Sequence, residues 1–181
     1  MNKSISLDEF KNSIAEAKNF AVSGFRWSGT PQLLLRSIRK YFNKTGKPNS
    51  ITVIFTSSAT DPGIDYLADP NLLNCSFGSY YGSIPRIREL IQKNLIRGYS
   101  LPQGQLSLLF REIARQSPGL ISKVGINTYV DPTIRGGKLN EKTSENMVDR
   151  VKINNDIYLL YKSINIDIAL LRGTVADKNG N

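Results

Sequence analysis

The spacing of apolar positions changes period several times along the chain. From Ser6 the positions Leu7, Phe10 and Ile14 share one helical face, and Ser6 with Glu9 three residues on forms a capping-box pair at its start. Phe20-Ala21-Val22 reads as a short strand running into a turn, Ser23 to Gly29. Thr30 is expected to cap a second helix with Pro31 at its first position, and Leu34, Leu35, Ile38 and Phe42 give that helix an apolar face ending near Gly46. Ile51 to Phe55 is an almost unbroken β-branched and aromatic run, suited to a strand covered on both faces. Ser57 to Pro70 reads as a loop. Helices are predicted over Pro85 to Asn94 and Gln105 to Arg115, with a short strand over Gly98 to Leu101 between them. Strands are predicted within 119–130, 148–153, 157–161 and 166–171, and a polar loop over Asp131 to Thr143.

Strands alternating with helices predict an α/β fold with an open, mostly parallel sheet flanked by helices. Ligands of such sheets bind at the carboxyl ends of the strands. Two turns lead from a strand into a helix, 23–30 and 102–104. The chain shows no repeat, low-complexity tract or linker, so residues 1–181 are read as one domain.

Composition narrows the chemistry. The chain has no histidine, which removes Ser–His and Cys–His nucleophile pairs within it, and leaves a zinc site only one cysteine and carboxylates. Cys75 is the single cysteine, so there is no internal disulfide and a reducing compartment fits. No apolar run reaches the roughly 18 residues of a membrane helix, and Met1 to Ser6 lacks a signal-peptide layout; a cytoplasmic location is expected. The net charge of +9 fits either a solvated basic surface or attraction to a polyanion. The basic residues are spread through predicted helices rather than gathered in a tail, which disfavours nucleic acid.

Two short motifs could carry chemistry. Gly24 and Gly29 leave backbone N–H groups open to a ligand, ahead of a helix N-terminus that favours negative charge. A tight structural turn is the other reading. At Pro102-Gln103-Gly104 a glutamine amide stands at a predicted strand end, where it could stabilise an oxyanion or simply bond its own backbone.

Together, Ser23-Gly24-Phe25-Arg26-Trp27-Ser28-Gly29-Thr30-Pro31 and Leu101-Pro102-Gln103-Gly104 resemble motifs of the family I coenzyme A transferases. The glycine turn carries the family's Gly-Phe, three variable residues, Gly, one variable residue and Pro. Leu109 to Ala114, Pro118-Gly119, Lys123-Val124-Gly125, Val130-Asp131-Pro132, Gly136 to Asn140, Arg172-Gly173-Thr174, Ala176-Asp177 and Gly180-Asn181 follow in the family's order. The chain is similar to the N-terminal half of the propionate- or acetate-type short-chain acyl-CoA:carboxylate CoA-transferases.

The resemblance implies a Rossmann-like domain and transfer of CoA between acids through a glutamyl-CoA thioester. It implies no cofactor beyond CoA and acyl-CoA as substrates. It assigns Gln103 to the oxyanion hole and acid pocket, and Ser23, Gly24, Phe25, Gly29 and Gly104 to substrate binding. The implied partners are acyl-CoA, a short-chain carboxylate and a C-terminal half, in a homo-oligomer away from membranes.

The nucleophilic glutamate of the family lies in a Ser-Glu-Asn-Gly context in the C-terminal half. Ser144-Glu145-Asn146 looks like it, but Met147 replaces the glycine, and Glu145 is read as a first-turn residue of a helix behind a Ser or Thr cap. Asp61-Pro62-Gly63-Ile64-Asp65 stands where relatives carry a Gly- and His-containing stretch, and Phe77 to Gly82 where they carry a Gly-Gly-His-Trp-like turn. Relatives continue past Asp177 to Asn181, so the resemblance implies a shortened N-terminal half, silent alone for want of the nucleophile. The competing readings are an inactive relic and a basic module binding phosphate or nucleic acid.

Overall fold

The capping box at Ser6 closes in the computed structural model, which describes residues 3–25, 28–57 and 62–180. The Glu9 amide donates to Ser6 Oγ at 3.2 Å and the Ser6 amide to the Glu9 carboxylate at 2.7 Å, pairing N–H groups that the helix itself leaves free. Helix α1 (Leu7–Ile14) buries Phe10 and Ile14. There follow β1 (Asn19–Val22), α2 (Gln32–Thr45), β2 (Ile51–Ile54), a single 3-10 turn (Ile64–Leu67), β3 (Leu73–Gly78), α3 (Pro85–Gln92) and β4 (Arg97–Ser100). The chain continues through α4 (Gln103–Ala114), β5 (Gly119–Ser122), β6 (Val148–Ile153), β7 (Asp156–Lys162) and β8 (Ile168–Leu170).

Strands β4, β3, β2, β1 and β8 lie side by side in that order, every pair parallel. This is the expected open α/β sheet. One face packs Phe20, Val53 and Leu73 against Phe10 and Ile14 of α1, Leu35 and Ile38 of α2, and Ile87 and Ile91 of α3. The other face packs Ile54, Phe77 and Tyr99 against Leu106 and Leu109 of α4 and Leu159 and Tyr161 of β7. Ile51–Ile54 thus sends side chains into both cores, which explains its unbroken apolar run. The outer edge of β4 is covered: the Ser100 amide donates to the Gly137 carbonyl (2.8 Å) and the Leu139 amide to that of Gly98 (3.0 Å). An edge strand sealed this way offers no row of free amides to another chain.

Several expectations are corrected. β5, β7 and β6 form a separate antiparallel sheet. Ile153 pairs with Asp156, leaving two residues between β6 and β7, a connection only an antiparallel pair can use; Asn154 takes its φ of +56°. The segment 119–130 is strand only over Gly119–Ser122, and Gly125 then bends the chain with φ +98°. Glu145 starts no helix. It sits exposed in a bend before β6, its carboxylate 3.3 Å from Arg97 Nη1 and its carbonyl accepting from Tyr99 Oη at 3.0 Å. Thr30 does not cap α2. Pro31 occupies the cap position, and the Leu35 amide donates to its carbonyl. Strand β3 was not foreseen at all. Arg26, Trp27 and Asp61 lie outside the described residues.

Two buried carboxylates organise the connections. Asp65 accepts from the Arg86 and Ile87 amides (3.1 and 3.0 Å), capping α3 from the 3-10 turn because Ile84 at the cap position has no side-chain acceptor. Asp131, 0 % exposed, accepts from the Asn127 and Thr133 amides and Thr133 Oγ1, and from Arg150 Nε at 2.9 Å and Nη2 at 2.7 Å. This node ties the loop that seals β4 to strand β6. The Arg150 bonds, helped by the Asn127 and Thr133 donors and opposed by burial, hold the Asp131 carboxyl well below the usual carboxylate range. Burial moves Asp65 the other way, against its two amide donors.

Asp131→Asn is expected to cost on the order of 2–3 kcal/mol at neutral pH, read by denaturant unfolding. Because the folded state lowers the Asp131 pKa beneath the unfolded value of about 3.9, its contribution is complete above that pH and fades as pH falls further. The stability curves of wild type and Asp131→Asn should therefore converge towards low pH. Asp65, with the opposite shift, does not produce that convergence.

Candidate active site at the carboxyl edge of the parallel sheet

The turn that leaves β1 is built by backbone geometry only glycine adopts readily. Gly24 has φ +137° and Gly29 φ +69°, both in the region L side chains rarely enter. The two residues sit close: a Cβ on Gly29 would lie 3.8 Å from Gly24 Cα. Ser23 Oγ donates to the Gly29 carbonyl at 2.8 Å, the Ser23 amide to Leu170 of β8 at 3.0 Å, and Phe25 and Ser28 exchange both backbone bonds at 2.9 Å. The Phe25 ring is left 56 % exposed. Thr30 is 1 % exposed, and its Oγ1 has no hydrogen-bond partner among the described residues.

At the far side of the sheet, Gln103 is the first residue of α4 rather than a strand end, because β4 stops at Ser100 and Pro102 takes the cap position. Gln103 and Gly104 are exposed. The helix has no side-chain cap and no acid in its first turn. Among the described residues the amides of Gln103, Gly104 and Gln105 find no backbone partner, the first intrahelical bond running from the Leu106 amide to Pro102. These free donors and the helix dipole both favour an anion there. Gln105 is the buried glutamine, with its Oε1 unpartnered among the described residues.

Between these ends runs a line of hydroxyls that the sequence reading missed. Ser79 Oγ donates to the Thr56 carbonyl (2.5 Å), Ser100 Oγ to the Ser79 carbonyl (3.2 Å), and Ser100 Oγ lies 3.0 Å from Tyr129 Oη. The available signal was a serine just beyond or at the end of each of β3 and β4. On the α4 face a cavity of about 320 Å3 opens at the ends of β1 and β8, lined by Val22, Ser23, Gly24, Thr56, Phe110 and Leu171 among others. Ser23 and Gly24 are thus brought to it; Phe25, Gly29, Gln103 and Gly104 are not among its lining residues. Helix α4 spans the gap, since Phe110 in the cavity is seven residues from Gln103, about 10 Å along the axis.

Cys75 belongs to the core. It is buried in β3, and burial, only partly offset by Arg97, pushes its thiol up to about 12, which removes it as a nucleophile. Among the described residues no group of three or more His, Cys, Asp or Glu is placed to hold a metal ion, and no helix is long and apolar enough to cross a membrane. Gly29→Ala, whose Cβ would meet only an ordinary contact with Gly24 Cα but sits at a left-handed φ, is expected to cost about 1–2 kcal/mol through backbone strain, read as a lowered Tm.

Comparison with known proteins places this geometry. The chain is 37 % identical to caffeate CoA-transferase of Acetobacterium woodii over 184 residues, covering 100 % of this chain and 35 % of that protein. It is 38 % identical to acetate CoA-transferase YdiF of Escherichia coli (strain K12) over 150 residues, 81 % of this chain and 28 % of that one. The crystal structure of acyl-CoA transferase YdiF from E. coli O157:H7, in a thioester complex with CoA, superposes with a TM-score of 0.85 at 35 % identity, over 91 % of this chain and 33 % of that one. The chain therefore spans about a third of the length of these relatives. Residues 7–181 match the coenzyme A transferase family, and with that match, the parallel sheet and the turn at its carboxyl edge, the chain belongs to the coenzyme A transferases.

Proposed function

We propose that this chain is the N-terminal part of a short-chain acyl-CoA:carboxylate CoA-transferase, and that its carboxyl edge holds the reacting acid. The observation that carries the reading is the uncapped, acid-free N-terminus of α4 opening on the same sheet edge as the glycine turn after β1. A glutamate carboxylate supplied by a C-terminal half attacks the acyl-CoA carbonyl, and the CoA thiolate leaves to give an acyl-glutamyl anhydride. The thiolate then attacks the glutamyl carbonyl, releasing the first acid and forming the glutamyl-CoA thioester. The second acid takes the CoA by the same two steps in reverse. Each step passes through a tetrahedral oxyanion, the species that preorganised N–H donors stabilise most.

Gln103 Nε2 and the first-turn amides of α4 are the donors. Ser23, Gly24, Phe25, Gly29 and Gly104 shape the pocket, the glycines by admitting substrate where a Cβ would stand. The substrates are CoA, acyl-CoA and a short-chain carboxylate, no resident cofactor takes part, and the assembled enzyme is a cytoplasmic homo-oligomer. Alone the chain lacks the nucleophile and is silent.

The test is transfer of CoA from acetyl-CoA to propionate by the purified chain, alone and after co-production with the part of the A. woodii enzyme that follows the matched region. No transfer is expected alone, and measurable transfer in the complex. Gln103→Ala in the complex should lower kcat about 100-fold with little change in KM. Transfer by the isolated chain at the rate of a whole relative, or a complex indifferent to Gln103→Ala, would overturn the reading.

A further inference from the structure

A groove of about 540 Å3 separates α1 from α2 and shares no lining residue with the cavity at the carboxyl edge. Its α2 wall presents Arg36, Lys40 and Lys44, all exposed, at steps of four residues. Each step rises about 6 Å along the helix, so the three charges form one column. Among the described residues none of the three side chains makes an ion pair or hydrogen bond, whereas Lys47, Lys93, Arg97, Lys123, Arg150 and Lys162 each meet a carboxylate. The one acid in the groove, Asp8, is taken by Lys11 at 2.7 Å. Like charges four apart work against the helix that carries them. Lys44, in the last turn, favours the carboxyl end of α2 and helps Lys11 hold the Asp8 carboxyl down, which leaves Arg36 and Lys40 without such a role. The groove also holds an apolar side. Leu7 and Leu33 are exposed to it, and the half-buried ring of Tyr41 stands beside Lys40 and Lys44.

We propose that this groove binds a nucleoside polyphosphate, its phosphates along Arg36, Lys40 and Lys44 and its base against Tyr41 and Leu33. A solvated basic face would need no recess and no aromatic wall. A bare polyanion would leave the apolar side in water. Only a ligand that joins an aromatic body to two or more phosphates uses both, and the volume falls in the range of small-molecule sites. The proposal is independent of the transferase reading.

The experiment is calorimetric titration of the intact chain with ADP, adenosine and inorganic pyrophosphate at low and high salt. Saturable ADP binding is expected, tighter than either fragment and weakened by salt. The double variant Arg36→Gln, Lys40→Gln should lose at least about tenfold in affinity while keeping its Tm, since both side chains are exposed and unpaired among the described residues. Tyr41→Ala should weaken ADP and leave pyrophosphate unchanged. Gln103→Ala should change neither, which separates this groove from the carboxyl edge. Absence of ADP binding, ADP binding that survives the double variant, pyrophosphate binding as tightly as ADP, or capture of a Glu-rich helical peptide in place of ADP would each overturn the proposal.

Discussion

A sheet whose strands all run the same way must be covered on both faces, and the rest of this structure follows from that requirement. Helices α1, α2 and α3 cover one face; α4 and the β5–β7–β6 sheet cover the other. With both faces closed by apolar side chains, polar chemistry is left to the ends of the strands. The loop 123–139 closes the β4 edge and is itself anchored through Asp131 and Arg150 to a different sheet. The two sheets are therefore coupled by the apolar core they share and, at the β4 edge, by this charge pair between the loop and β6, rather than by continuous strand pairing.

The carboxyl ends hold donors and acceptors that find no partner among the described residues, the Gln105 Oε1 among the acceptors. Among the described residues the Gln103, Gly104 and Gln105 amides find no backbone partner, Thr30 carries an unpartnered hydroxyl, and no acidic residue occupies the first turn of either α2 or α4. An uncapped helix N-terminus with no acid in its first turn favours negative charge beside it. The two faces of α2 differ in the same spirit. Its inner face, with Leu35 and Ile38, is committed to the core, while Arg36 and Lys40 on its outer face meet no carboxylate among the described residues.

Much of the fold was legible because the pattern and the burial agree. The capping box at Ser6 and the double-sided run of β2 are set by local chemistry, and both form as read. Strand β3 escaped because its residues are chosen by neighbours. Asn74, Cys75, Ser76 and Gly78 interrupt the apolar run, yet Gly78 is required where the Phe55 ring crosses: a Cβ there would lie 2.1 Å from Cζ. The stretch 123–130 misled in the opposite way, since Val124 and Ile126 are apolar but sit in turns, Val124 exposed. Of the candidate site, the glycine turn and Gln103 are proposed from motifs, while the hydroxyl line through Ser79, Ser100 and Tyr129 has no motif to point to it. Those three meet only because β3, β4 and the loop before Asp131 end at the same level, which is tertiary information.

The pairing of β1 with β8 has a consequence for the order of assembly. Phe20 meets Val53 on one side soon after it is made, but its other neighbour is Ile168, far later in the chain. At synthesis rates of about 5–20 residues per second, β1 keeps an open edge for roughly 7–30 s. Throughout that interval the Ser23 amide, which takes the Leu170 carbonyl in the finished molecule, has no acceptor there. The glycine turn after β1 is thus seated by a strand made long after it, and the nascent chain is most open to wrong strand partners while it waits.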